Sequence, residues 1–103
     1  MTYRYTVRAF FETGDVAAEW VRWLQEGHCR DVMKGGAMRA EILEIDDVSK
    51  GFEVRYDFPD RETFEHYERT HAPGLRDEGL RLFPTERGIT YERASGSVIH
   101  RED

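Results

Sequence analysis

The side chains able to move a proton near neutral pH fall mainly in two short stretches of the sequence. In one, His28 and Cys29 precede Asp31. In the other, Tyr67 stands one helical turn before His71. An imidazole titrates close to neutrality, so His71 or His28 could serve as general acid or base, with Tyr67 sharing the work at His71 and Asp31 pairing with His28. Each histidine also has a structural role open to it. His71, on an apolar helix stripe with Phe64 and Tyr67, would tie a helix end to a carbonyl or carboxylate, and a protonated His28 at a helix C-terminus would be favoured by the helix dipole. Cys29 beside His28 suggests a thiolate nucleophile, but adjacent residues on a helix project about 100° apart, and a lone cysteine is ordinarily packed. Glu62 and His66, four apart, offer two metal ligands, too few for a defined site. Phosphate-binding glycine loops, zinc-binding helices and nucleophile elbows are missing from the sequence, so we expect neither a metal nor a cofactor.

These candidates must be positioned by one small domain, since 103 residues with 39% hydrophobic and 35% charged side chains can bury a single modest core. The net charge of -6 excludes a dominant electrostatic grip on nucleic acid or anionic lipid. No apolar run approaches the roughly 20 residues that cross a bilayer, and the chain opens on an alternating segment where a secretory signal would be basic, then apolar. With one cysteine and no intramolecular disulfide open to it, the expected setting is the cytoplasm. Residues 41–70 are the acidic part: Glu41, Glu44, Asp46, Asp47, Glu53, Asp57, Asp60, Glu62, Glu65 and Glu68 face only Lys50, Arg55, Arg61 and Arg69. Such a run is either a solvated face or a docking surface for a basic partner.

Apolar alternation marks the strands. Tyr3, Tyr5, Val7, Ala9 and Phe11 alternate with Arg4, Thr6 and Arg8; Phe52, Val54, Tyr56 and Phe58 alternate with Glu53, Arg55 and Asp57. Segment 37–45 reads as a second strand, joined to 52–58 through turn residues 46–51, and segment 88–93 as a fourth, followed by a tail over 94–103. Between the first two strands, Val16, Trp20, Trp23 and Leu24 recur at helical spacing behind Asp15 as N-cap, with an end expected near Gly27, a further turn through Asp31 to Met33, and a break at Gly35 and Gly36. A second helix starts after Pro59 and Asp60. Pro73 opens a third, short helix carrying Leu75, Leu80, Leu82 and Phe83 and ended by Pro84.

The order β-α-β-β-α-(α)-β over residues 3–93 is that of a ferredoxin-like α+β domain: a four-stranded antiparallel sheet with its helices on one face. The other face would carry Arg4, Thr6, Arg8, Glu53, Arg55, Asp57, Thr90 and Glu92, a mixed-sign surface that meets either water or a second copy across a two-fold axis.

The stretches 28–36 (HCRDVMKGG) and 67–76 (YERTHAPGLR), with Leu82-Phe83-Pro84 downstream, resemble a family of small uncharacterised bacterial proteins in the dimeric α/β barrel superfamily. The resemblance covers residues 3–93 in pieces. It implies the same fold and a homodimer whose two sheets pack face to face. Superfamily relatives include cofactor-free oxygenases, isomerases of small ring compounds, haem-handling enzymes and ligand binders, so the fold alone does not choose among them. Two departures matter. Cys29-Arg30 stands where the family usually has Ile-Pro, and Gly79 where many relatives have a second histidine, which argues against any chemistry built on a histidine pair there.

Three functions are compatible with these residues. One is a homodimer that binds a small organic ligand without catalysis. Another is a cofactor-independent oxygenase or isomerase acting on a small molecule, aromatic ones included, with His71, Tyr67 or His28 transferring the proton. The third is an accessory subunit docking through 41–70.

Overall fold

The computed structural model describes residues 1–46 and 48–103. Four strands form one antiparallel sheet: β1 (Tyr3–Phe11), β2 (Arg39–Glu44), β3 (Gly51–Phe58) and β4 (Ile89–Ser97), in the spatial order β2-β3-β1-β4. The helices α1 (Gly14–Trp23), α2 (Cys29–Lys34), α3 (Arg61–Thr70) and α4 (Ala72–Leu82) complete the ferredoxin-like architecture. Strand parity sets the layers. Tyr3, Tyr5, Val7, Ala9 and Phe11 of β1 and Val54, Tyr56 and Phe58 of β3 are buried, and they form one core with Trp20, Leu24, Val32, Phe64 and Tyr67 from the helices.

Local chemistry explains most element ends. Asp60 caps α3, its Oδ1 accepting from the Thr63 amide at 2.7 Å, and Pro73 lies in the first turn of α4. Thr13, not Asp15, caps α1; its hydroxyl accepts from the Val16 amide. The first helix does not end near Gly27. It passes from α1 into α2 through a π-helical turn over Leu24–His28, where the Cys29 amide reaches back to the Leu24 carbonyl. The break expected at Gly35 and Gly36 is present: Gly36 has φ +129°, and a side chain on Gly35 would meet the Tyr67 ring, so the glycine pair lets α3 close on the end of α2. The turn expected over 46–51 includes Asp47, which lies outside the described residues; beyond it, Lys50 takes a left-handed conformation before β3.

Strand β4 runs to Ser97, four residues past the expected end at Arg93, and pairs with β1 down to Tyr3. The residues read as the start of a tail therefore begin as strand. Beyond them, the Val98 amide donates to the Thr2 carbonyl and Arg101 comes within 3.9 Å of Asp57. In α4 the expected apolar stripe is only partly inward. Phe83, just past its end, is buried, whereas Leu80 and Leu82 are exposed.

The face of the sheet away from the helices carries charges in register. Arg4 lies between Asp57 and Gly96, Thr6 between Arg55 and Ala94, and Arg8 between Glu53 and Glu92, with Arg39 and Glu41 beyond on β2. Asp57 and Glu53 are only 4% and 3% exposed. Arg4 grips Asp57 through two nitrogens at 2.8 and 3.3 Å, and Glu53 accepts from Arg8 at 2.7 Å and from Arg55. Burial acts to raise the Glu53 pKa, but the bonds from Arg8 and Arg55 outweigh it and hold the carboxyl below its ordinary value.

Candidate ligand cavity

Helix and sheet do not close completely. Between them lies a cavity of about 60 Å³, on a scale where one water needs about 10–15 Å³. Its floor is the helix-facing side of the sheet: Tyr5 and Val7 from β1, Val54 and Tyr56 from β3, Tyr91 and Arg93 from β4. Its roof is Trp20, Trp23, Leu24 and His28 from the first helical rod, and Ala72, Leu75, Arg76, Gly79 and Leu80 from α4, with Tyr67 of α3 at one end. Gly79 is part of why the space exists: a Cβ there would stand 3.2 Å from the Trp23 ring.

His28 reaches this cavity because of the π-helical turn. Its ring stacks on Trp23 with centroids 4.1 Å apart and planes 22° apart. Burial lowers its pKa, with Asp31 and Glu78 opposing from nearby, so the imidazole is held toward its neutral form. The structural role considered for His28, a protonated cap on a helix end, does not fit: the helix continues through Cys29 and the ring carries a depressed pKa.

Tyr67 is 3% exposed, lines the cavity, and has its pKa raised by burial, so its hydroxyl stays protonated. His71 does not join it. The helix stripe that would carry it inward stops at Thr70, and His71 sits in the bend between α3 and α4, exposed, with Nδ1 2.8 Å from the Thr70 hydroxyl. Its ring stacks over Tyr67 from outside, at 6.3 Å and 13°. The structure thus brings His28 and Tyr67 to one cavity and leaves His71 out.

Two polar groups that spacing did not single out are also here. The Tyr56 hydroxyl is buried without a hydrogen-bond partner of ordinary geometry; the Cys29 thiol beside it is a weak one. Burial raises both pKa values, so Cys29 is a neutral packed thiol and not a thiolate. Arg93 Nε donates to the Tyr5 hydroxyl at 3.2 Å at the cavity's edge. Only the alternation of β4, carried past Tyr91, could have signalled that Arg93 points to the helix side.

Elsewhere, Glu62 and His66 are exposed, and among the described residues no three His, Cys, Asp or Glu side chains gather as a metal-binding group. The acidic segment is divided by the fold: Glu53 and Asp57 are committed to arginines on the open sheet face, Glu65 to Arg61, and Glu68 to Arg76. Among the described residues no helix is long and apolar enough to cross a membrane.

Fold and cavity together define a ferredoxin-like α+β domain with a helix-sheet cleft. Residues 3–92 match the family described as Domain of unknown function (DUF4286), and the chain belongs to that family. No curated protein matches it in sequence. Among solved structures it is similar to a dimeric ferredoxin-like protein from an uncultured marine organism, with 11% identity, a TM-score of 0.79 and 98% of each chain covered. It is also similar to SnoaB, a cofactor-independent oxygenase from Streptomyces nogalater, with 14% identity and a TM-score of 0.71 over 97% of this chain and 95% of that one. A third is a Nitrosomonas europaea protein provisionally described as an antibiotic biosynthesis monooxygenase, with 18% identity and a TM-score of 0.65 over 96% and 91% of the chains. At these identities the likeness concerns the fold.

Proposed function

We propose that this protein is a homodimer, joined through its open sheet faces, that binds a small organic molecule in the helix-sheet cleft of each protomer. The observation that carries the ligand reading is the cavity itself, walled by Trp23, His28 and Tyr67 and left open where Gly79 withholds a side chain. Dimerisation is supported by the open face, where Arg4, Arg8, Arg39 and Arg55 stand among Glu41, Glu53, Asp57 and Glu92, a balanced surface that a two-fold copy can match. The similar marine protein is described as dimeric.

The test has two readouts. Sedimentation should give twice 12.1 kDa; a monomer persisting at high concentration removes the dimer. Small aromatic compounds should shift the Trp23 indole resonance, and Gly79→Val, which crowds the Trp23 ring, should abolish the shift while preserving the fold. Unchanged binding in that variant refutes the cavity as the site.

A second reading, cofactor-independent catalysis, is favoured by the neutral imidazole of His28 on the cavity wall and by the description of SnoaB. In it His28 removes a proton from a bound carbon acid and the protonated Tyr67 hydroxyl supports the oxygen on which charge develops; His71, outside the cavity, has no part. Exchange of the ligand's C–H for deuterium from solvent, lost in His28→Gln, is the expected signature. Binding without exchange leaves the protein a binder.

A further inference from the structure

We infer that the molecule this cleft takes is an organic anion, whose charged end is received by Arg76 and Arg93 at the mouth while its apolar body enters beneath Trp23. The inference rests on the cleft being a ligand site and adds the class of ligand. It starts from the register of β4. Ile89, Tyr91 and Arg93 alternate on the helix side, paired with Phe11, Ala9 and Val7 of β1. The first of these is buried and the second partly so, but at Arg93 the core runs out, and its guanidinium ends at the rim, donating to the Tyr5 hydroxyl at 3.2 Å. From the opposite wall α4 contributes Arg76, half-buried, which bonds Glu68 at 2.9 Å.

The rim therefore holds two guanidiniums and one carboxylate. Among the described residues Arg93, like Arg22, Arg30, Arg39, Arg69 and Arg81, has no acidic partner, and of these six it alone lines the cavity. A shallow groove lined by Tyr5, Glu68, Arg76, Arg93, Ala94 and Ser95 shares both arginines and Tyr5 with the cavity, so an anion seated there adjoins the apolar interior. Tyr5 accepts from Arg93, which leaves its own O–H free to donate to the same anion. Guanidinium recognises planar carboxylates and enolates well because its N–H groups form a matching fork. The body is limited to about one ring, part of it in the open mouth, since a closed apolar cavity that holds benzene measures about 150 Å³.

Benzoate and benzamide share a ring and nearly a shape, and differ in charge. Each is titrated into the full-length protein and into the Arg76→Met/Arg93→Met double variant, following the tryptophan indole resonances. In the unmodified protein benzoate should bind about tenfold more tightly than benzamide, a ratio that shrinks with added salt. In the double variant the two should bind alike, and a cooperative urea transition shows the variant folded. Equal affinities in the unmodified protein overturn the anion assignment and leave the cavity reading standing. A preference for benzoate that survives in the double variant overturns the role of the two arginines. If neither compound moves the indoles, both readings fall together.

Discussion

Removing the Tyr56 hydroxyl should stabilise this protein, against the usual direction of core substitutions. The residue is 2% exposed and its oxygen has no hydrogen-bond partner of ordinary geometry, only the weakly bonding Cys29 thiol beside it. Leaving a buried hydroxyl unsatisfied costs about 1–3 kcal/mol. Tyr56→Phe keeps the ring in its stack with Tyr5 and removes one oxygen, opening a void of roughly 15 Å³ whose penalty is about 0.4 kcal/mol at 24 cal/mol per Å³. The balance is a gain of about 1 kcal/mol, or a rise in Tm of roughly 4–8 °C for a domain of this size. Urea unfolding at fixed protein concentration measures it, with an unchanged slope showing that the same transition is observed. A loss of 1 kcal/mol or more would falsify the reasoning, because it would mean the hydroxyl is well bonded. Cys29→Ser supplies a control: a hydroxyl in place of the thiol gives Tyr56 a proper partner, and Tyr56→Phe in that background should then destabilise.

Other outcomes follow from the same geometry. Burial lowers the His28 pKa from 6.5, so the unfolded chain binds its proton more readily; stability should be full above about pH 6.5 and fall as pH drops below it toward the folded value. A Tm series across that range should lose this slope in His28→Gln, and an unchanged slope would assign it to another group. Glu53 is depressed, so its contribution is present above its ordinary pKa of 4.5 and disappears as pH falls through the lower folded value. Glu53→Gln should flatten that acid limb and remove about 1–2 kcal/mol, reduced because Arg8 and Arg55 are 51% and 40% exposed; no change in chemical denaturation would show the pair to be idle. Gly36→Ala combines a φ of +129° with a Cβ 2.8 Å from Thr63 and should cost about 1–3 kcal/mol by the same measurement, whereas a neutral result would show that the α2 to β2 connection relaxes freely.

Periodicity made the sheet legible. In β1 and β3 every second side chain is apolar, and all of these but the half-buried Phe52 are core, so strand existence, helix side and the polar open face are legible in the sequence. Alternation ends β4 early because from Arg93 onward its helix-side positions are Arg93, Ser95 and Ser97, past the part of the layer that needs apolar cover. Helix spacing also located Trp23 and Tyr67, and it misplaced His71 because the stripe Phe64, Tyr67, His71 assumes a helix continuing through a position where the backbone bends. His28 was noticed for its chemistry, but its stacking on Trp23 depends on a π-helical turn that carries no spacing signal. The Arg93, Tyr5 and Arg76 rim joins residues far apart in sequence and only becomes visible once strands and helices are docked.

The π-helical turn over Leu24–His28 takes up one residue more than ordinary helix would place between Trp23 and Gly35. Leu24 and Val32 are both 1% exposed although they stand eight apart, a spacing that an uninterrupted α-helix would put about 80° out of phase; the wide turn takes up the surplus residue and returns both to one face. Tightening the turn into ordinary helix with every residue kept would swing Val32 away from the interior and drive a charged neighbour toward it, whereas deleting one residue would leave Val32 facing inward. Relatives one residue shorter in this segment are expected to carry an unbroken α-helix with the same residues facing inward, whereas a second inserted residue would turn the rest of the rod off its face.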